Sequence, residues 1–419
     1  MSLTVIKSDI KNELGLKSDE ISIIKLVDLM IQYAYEARAS DIHIDPAEEK
    51  IHVRMRIDGV LNDVFPLSNE LHSEVITRLK VLSGLRTDEH QAAQDGRLRF
   101  TAQLEKNEKK AVHFDVRISI VPTYYGENAV LRLLVEQGEV FTLESLGYNK
   151  RDLEVVKRAI SKPYGMILVT GPTGSGKTTS LYAILKMLNT PTVSIITIED
   201  PIEYSLEGID QIQVNSQTGL TFANGLRSIL RQDPNIVMVG EIRDEETAKI
   251  AVNAALTGHL LLSTLHTNDA ATALPRLIDM DVEPFLIAST INIIIGQRLV
   301  RKICSDCRVK KKLTVSELTS FGESLGQNIP KELSEGKDLF YAGKGCATCT
   351  NTGYLGRIGI HEVIEMTEAI REAIMSRLSA AEIKKIARSE GMTTMMEDGF
   401  QKVIKGITTI DELLRVMHE

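Results

Sequence analysis

The chain has 419 residues, of which 43% are hydrophobic and 25% charged, the composition of an ordinary soluble globular protein with room for two or three domains. A formal net charge of -8 argues against a general nucleic-acid binder, which carries a basic surplus. The opening MSLTVIKSDIKNELG lacks the apolar core and small-residue cleavage site of a signal peptide. The longest uncharged stretch, Ile250 to Asn268, holds histidines, asparagines and hydroxyls that are costly in lipid, so a cytoplasmic chain without a transmembrane helix is expected.

Residues 1–20 form a short and uninformative segment. From Ile21 to Ala37 the apolar residues Ile24, Val27, Met30, Ile31 and Ala34 recur at helical spacing. The period then changes: KIHVRMRIDG alternates Ile51, Val53, Met55 and Ile57 with His52, Arg54, Arg56 and Asp58, a half-buried strand ending at a glycine turn. Asn69 to Leu82 returns to helical spacing. GRLRF and AVHFDVRISIV read as further strands, joined by a charged turn from Glu105 to Lys110. These elements predict a small α+β domain with one sheet over residues 21–135.

EQGEVFTLESLGYNK reads as a linker, residues 136–150, with a helix cap near its end. Strands and helices then alternate, which predicts an α/β domain with a mainly parallel sheet over residues 151–299. The strands are expected at Met166–Thr170, Ser194–Ile198, Ile236–Val239 and Leu260–Thr264. The helices are expected at Lys177–Leu188, Thr221–Arg231, Glu245–Leu256 and Ala270–Met280. A cysteine-bearing subdomain is expected over residues 300–360, and short amphipathic helices over 361–419.

Between the first of these strands and its helix lies GPTGSGKTT, comprising Gly171, Pro172, Thr173, Gly174, Ser175, Gly176, Lys177, Thr178 and Thr179. It satisfies G-x-x-x-x-G-K-[ST], a loop whose backbone N–H groups face phosphates at the positive end of a helix. In such a site Lys177 reaches the β- and γ-phosphates and Thr178 ligates Mg²⁺. Ligands of parallel sheets bind beyond the carboxyl ends of the strands. There the second strand delivers Glu199, Asp200 and Glu203, the third delivers Glu241, and the fourth delivers His266. A carboxylate at that place orients or deprotonates the attacking water, or holds magnesium through its water shell. Asp244 is expected to be a helix cap. For His259 a role at the site stands beside that of a satisfied interior histidine.

The four cysteines occur as Cys304-x-x-Cys307 and Cys346-x-x-Cys349. Two such knuckles suit tetrahedral Zn²⁺, and four sulfur ligands leave no open position, so a structural zinc site is expected in preference to a redox dithiol. Around the first pair, RKICSDCRVKKK gathers six basic residues. They form either a solvated loop or a contact with anionic lipid.

GPTGSGKTT, TIEDPIEY, GLRSILRQDPNIVMVGEIRD and ALTGHLLLSTLHTNDAATALPRL resemble the Walker A, Asp-box, Walker B and His-box blocks of the secretion ATPases, the hexameric motors of type II secretion and type IV pilus assembly. The likeness runs from about Ile21 onward and includes RASDIHIDP, RMRIDGVL, GQRLVRKICSDC and GCATCTNTGYLGRIGIHE. It implies a RecA-like P-loop domain preceded by a PAS-like domain. It also implies ATP and magnesium on Lys177 and Thr178, Glu199 and Glu241 as catalytic carboxylates, and His266 and His259 in the box that senses the γ-phosphate. The family's first domain supplies arginines to the nucleotide site, and the matching strands here carry Arg54, Arg56, Arg97, Arg117 and Arg132.

Arginine forks can neutralise the charge of a phosphoryl-transfer transition state. Arg117 and Arg132 are therefore expected to act on ATP held by a neighbouring subunit, while Arg54 and Arg56 suit ordinary ion pairs equally well. Most members carry a further N-terminal domain that docks on an inner-membrane partner. Only residues 1–20 precede the shared region here, as in a naturally short member or a trimmed chain. Asn235 stands where aspartate is more usual. The cysteine pairs resemble the assembly and secretion branch more than the retraction branch.

The reading is a homo-hexameric Mg-ATP-driven motor on the cytoplasmic face of the inner membrane, working on a membrane platform protein to assemble pilin-like filaments. A nucleic-acid translocase, a pilus-retraction motor and a nucleotide-gated scaffold are the alternatives; the acidic balance and the lack of an aromatic and basic stripe disfavour nucleic acid.

Overall fold

The computed structural model describes residues 3–17, 20–102, 112–135, 142–311 and 340–418; the expected turn at Glu105 to Lys110 lies outside them. The chain divides into two units, residues 1–138 and 139–419.

The first unit runs α1 (Leu3–Leu14), α2 (Ile23–Glu36), β1 (Ala39–Pro46), β2 (Lys50–Ile57), β3 (Val60–Ser68), α3 (His72–Leu82), β4 (Gln94–Ala102), β5 (Val112–Thr123) and β6 (Gly126–Leu134). Its strands form one antiparallel sheet in the order β3-β2-β1-β6-β5-β4. Side chains alternate across a strand, so Ile42, Ile44, Val53, Met55, Val116, Ile118 and Leu131 share the buried face. They form one core with Leu26, Val27, Met30 and Ile31 of α2, which begins where the Ser22 hydroxyl accepts from the Lys25 amide. The segment that looked uninformative forms α1. Ile6 and Ile10, one turn apart, are fully buried, and Glu13 pairs with Lys25 at 2.7 Å.

The second unit opens with residues 142–149, expected as linker but packed: Leu143, Leu146 and Tyr148 are buried. Asn149 caps α4 (Lys150–Ile160) by accepting from the Asp152 amide. There follow β7 (Gly165–Thr170), α5 (Lys177–Leu188), β8 (Ile195–Glu199), β9 (Asp210–Gln213), α6 (Phe222–Ile229), β10 (Ile236–Val239), α7 (Glu245–Leu256), β11 (Leu260–Leu265), α8 (Ala273–Asp279), α9 (Pro284–Thr290), β12 (Ile291–Ile303), β13 (Arg308–Lys311), β14 (Phe340–Gly343) and β15 (Tyr354–Glu365). The chain ends with α10 (Glu368–Met375), α11 (Ala380–Ser389), α12 (Met395–Ile404) and α13 (Ile410–His418).

Seven strands form a mixed sheet in the order β15-β12-β7-β11-β10-β8-β9. All its pairings are parallel except β12 with β15. Every residue of β7, β8, β10 and β11 is buried, because helices cover both faces, and this is why those strands read as unbroken apolar runs. Strand β12 crosses the boundary expected at residue 299, and with β15 it carries the sheet onward to the cysteines. No helix among the described residues is long and apolar enough to cross a membrane.

Candidate ATPase site

Parallel pairing brings the carboxyl ends of β7, β8, β10 and β11 to one edge of the sheet. The loop after β7 curls because Gly171, Gly174 and Gly176 take positive φ values of 146°, 80° and 86°, where a Cβ is disfavoured. Gly171 also has no room for a side chain: a Cβ would lie 2.4 Å from Gln297 O and 2.6 Å from Ser175 Oγ. Lys177 opens α5, and its Nζ donates to Gly171 O at 2.8 Å and Pro172 O at 3.0 Å. Burial pulls the Lys177 ammonium below its ordinary pKa, and the charge of Glu241 opposes this. Ser175 Oγ is buried without a protein partner.

Glu241 lies two residues beyond the end of β10 and is 8% exposed. Its Oε2 meets His266 Nε2 at 2.9 Å, and its Oε1 meets Arg243 Nη2 at 2.5 Å. The Glu241 hydrogen bond and charge hold the Arg243 guanidinium above its usual pKa. The loop after β10 is tied to the end of β11 where Ile242 N donates to Thr264 O at 3.0 Å and Thr264 Oγ1 donates to Gly240 O at 2.8 Å. Glu241, His266 and Lys177 therefore form one constellation.

Glu199, expected as a second catalytic carboxylate, makes its hydrogen bonds elsewhere. It is the last residue of β8 and shares a sheet face with Thr197. Thr197 Oγ1 donates to its Oε1 at 2.6 Å, Gln211 Nε2 donates to the same oxygen at 3.1 Å, and the Tyr182 hydroxyl donates to Oε2. At 3% exposure, both carboxylate oxygens are engaged inside the fold. Glu199 thus links β8 to α5, the helix that starts at the phosphate loop.

His259 stands just before β11, at the opposite end of that strand from His266, and its Nδ1 contacts Ala254 O at 3.1 Å. It is half-buried. Asp244 caps α7 through the Thr247 amide at 2.8 Å. Asn235 Oδ1 accepts from the Ser194 amide at 2.8 Å, joining the starts of β8 and β10.

Two further contributors are Gln297, which the sequence does not mark, and Arg243. Gln297 on β12 is 1% exposed. Its Nε2 donates to Ser175 O at 2.8 Å, and its Oε1 accepts from Ser180 Oγ at 2.6 Å. It therefore clasps the phosphate loop and α5 together. Arg243 had a signal, since it follows Glu241 in the GEIRD run.

In the first unit, antiparallel register sets Arg56, Asp41, Arg132, Arg117 and Arg97 in one row across the sheet. Arg132 Nε donates to Asp41 Oδ1 at 2.9 Å, Arg54 pairs with Asp45 at 2.7 Å, and Arg97 pairs with Asp115. Arg117 faces Arg97 on one side and Arg132 on the other.

The cysteine sulfurs cluster within 4.8 Å of one another. Cys304 lies 3.8 Å from Cys346, Cys307 lies 3.8 Å from Cys349, and Cys346 lies 3.7 Å from Cys349. Sulfurs on a tetrahedron about 2.3 Å from a zinc ion are about 3.8 Å apart, so the donor set fits that metal. The amides of Cys346 and Gly353 donate to Cys349 Sγ at 3.2 and 3.3 Å.

The family model described as "Type II/IV secretion system protein" matches residues 16–415. The chain is 47% identical over 399 residues to the type IV pilus assembly ATPase PilB of Thermus thermophilus, covering 95% of this chain and 43% of that protein. It is 46% identical over 402 residues to the type II secretion system protein E of Xanthomonas campestris, covering 96% of this chain and 68% of that protein. Among solved structures, the pilus retraction motor PilT with bound ADP is 25% identical, with a TM-score of 0.57 over 93% of this chain and 96% of that one. The Legionella pneumophila ATPase DotB shares the fold, with a TM-score of 0.65 at 22% identity over 96% of this chain and 97% of that one. The chain belongs to the type II/IV secretion system protein family and is one of its secretion ATPases.

Proposed function

We propose that the chain is a homo-hexameric, cytoplasmic ATPase that works at the inner membrane to power pilin-like filament assembly for type II secretion or type IV pilus biogenesis. The observation that carries the reading is the Glu241 carboxylate held by His266 and Arg243 beside Lys177. In this reading the phosphate loop, Gly171 to Thr179, is a RecA-like nucleotide cradle. Lys177 exchanges its contacts with Gly171 O and Pro172 O for β- and γ-phosphate oxygens.

Glu241 accepts a proton from the water that attacks the γ-phosphorus, the bond to the β–γ bridging oxygen breaks, and ADP and phosphate leave. His266 fixes the orientation of Glu241 and registers the γ-phosphate through it. The Thr178 hydroxyl would hold magnesium, which when bound would supply neutralisation of phosphate charge. Glu199 acts as a brace and Glu241 as the catalytic base, a division supported by their hydrogen bonding.

The six-stranded unit is read as PAS-like, and its Arg117 and Arg132 as groups that neutralise transition-state charge on ATP held by a neighbouring subunit. Zinc on Cys304, Cys307, Cys346 and Cys349 is structural, supported by the sulfur spacings. Exposed Lys302, Arg308 and Lys310 near these cysteines suit a contact with anionic lipid. An assembly motor is favoured over a retraction motor by the 46–47% identity to protein E and PilB against 25% to PilT.

Affinity capture from membranes of the source cell tests the reading, with Glu241→Gln holding ATP and Lys177→Ala as the control. Enrichment of a polytopic platform protein with pilin-like components is expected. Enrichment of DNA with no membrane protein above the control supports the translocase instead.

A further inference from the structure

The loop that carries His266 is anchored by charge a few residues further on. After β11 the chain turns through Thr267 to Thr272. There Asp269 Oδ1 accepts from the Thr272 amide at 2.9 Å, and Thr272 Oγ1 donates to Asp269 O at 2.9 Å. The second Asp269 oxygen receives Lys384 Nζ of α11 at 3.0 Å, and the same ammonium lies 3.4 Å from Glu362 Oε2 on β15.

Glu362 is 1% exposed. It accepts from the Ala270 amide through Oε1 at 2.8 Å and from the Met395 amide through Oε2 at 3.4 Å. The loop is also pressed against β12, where a Cβ on Gly296 would lie 2.9 Å from Ala270 N. One ammonium thus sits between two carboxylates drawn from different elements. Burial raises the Glu362 carboxyl above its ordinary range. It also opposes ionisation of Asp269, but the Thr272 amide and Lys384 outweigh it and hold that carboxyl low.

We propose that Lys384 is a positioning residue for ATP hydrolysis: by tying Asp269 to Glu362 it fixes the loop that sets His266 against Glu241. The inference rests on the roles given to Glu241 and His266 above. Without the ammonium, two carboxylates face each other in a site of low dielectric with no counter-charge. The turn then loosens, and the 2.9 Å contact of His266 with Glu241 goes with it. The phosphate loop is clasped separately by Gln297, so nucleotide binding persists. Because Lys384 belongs to a C-terminal helix, movement of that helix is transmitted to the hydrolytic centre.

The test is steady-state ATP hydrolysis by the full chain. Lys384→Met is expected to lower kcat ~10-fold or more with the KM for ATP within ~2-fold, and Lys384→Arg to restore kcat to within ~3-fold of the native chain. The double variant Lys384→Met/Glu362→Gln removes one stranded charge while keeping an acceptor for the Ala270 amide. It should regain thermal stability and remain slow. An unchanged kcat in Lys384→Met, a raised KM with unchanged kcat, or recovery of kcat together with stability in the double variant overturns the proposal. Glu241→Gln measured in parallel separates the two levels. Native turnover in that variant brings down the reading of the site, whereas an inactive Glu241→Gln beside a fully active Lys384→Met brings down only the clamp.

Discussion

Glu241 Oε2 and His266 Nε2 meet at 2.9 Å, a contact between the loops that follow two neighbouring parallel strands. Each side chain lies just past the end of its strand, so the sheet edge itself sets their separation. The imidazole and the Arg243 guanidinium take one carboxylate oxygen each. Glu241 is thereby held in one orientation.

Gln297 governs how well the phosphate loop is formed. Gln297→Ala leaves the buried Ser175 carbonyl and the Ser180 hydroxyl without their partner, a loss of about 1–3 kcal/mol in stability. Affinity for a fluorescent ATP analogue should weaken ~10-fold, while kcat at saturating ATP changes less. Titration of the variant checks this, and native affinity would count against the clasp.

Glu199 should behave as a brace. Tyr182→Phe removes one donor to it and should cost about 1–2 kcal/mol in urea unfolding, with kcat kept within ~3-fold. A collapse of kcat in a fully stable Tyr182→Phe would restore Glu199 to the chemistry.

Much of this was legible in the chain. β7, β8, β10 and β11 are buried on both faces and read as unbroken apolar runs bounded by motifs. The cysteine knuckles announce themselves by spacing. Other parts were not legible, for stated reasons. INIIIGQRLVRKI is an apolar run with neither strand nor helix period, and its partners, Met166 to Thr170 in β7 and Tyr354 to Glu365 in β15, are far away in sequence. The role of Gln297 is hidden with it. The bracing bonds of Glu199 are hidden because its place at a strand end is visible in the chain, while its partners Tyr182 and Gln211 lie 17 and 12 residues away. Helix α1 rests on two isoleucines amid polar residues, too few to mark a face.

Asp152 imposes a pH dependence on stability. It is fully buried, and burial outweighs the Arg151 contact to raise its carboxyl from the ordinary range to about 6. Between pH 4 and 6 the folded chain therefore binds more protons at this site than the unfolded chain. This contribution to stability is present at low pH and is lost as pH rises through about 6, by about 3 kcal/mol at most. Asp152→Asn lacks it, so the variant should gain on the native chain as pH rises from 4 to 7. Urea midpoints of both proteins across that range check the sign.

Metal removal should unfold the cysteine module locally. Elemental analysis of protein purified in reducing buffer should find one zinc per chain. Cys304→Ser with Cys346→Ser should abolish it and lower the melting temperature. A native melting temperature in metal-free protein would overturn the zinc assignment.

Arginines acting between subunits predict complementation. Glu241→Gln and Arg117→Ala chains, each inactive alone, should recover part of the native ATPase rate when co-assembled. Mixed assemblies with no recovery would contradict catalysis across the interface.

The most direct measurement is single-turnover hydrolysis of ATP by Glu241→Gln, with binding measured on the same sample. The account predicts native-like ATP affinity and a cleavage rate reduced ~100-fold or more. Cleavage near the native rate with ATP fully bound would contradict it.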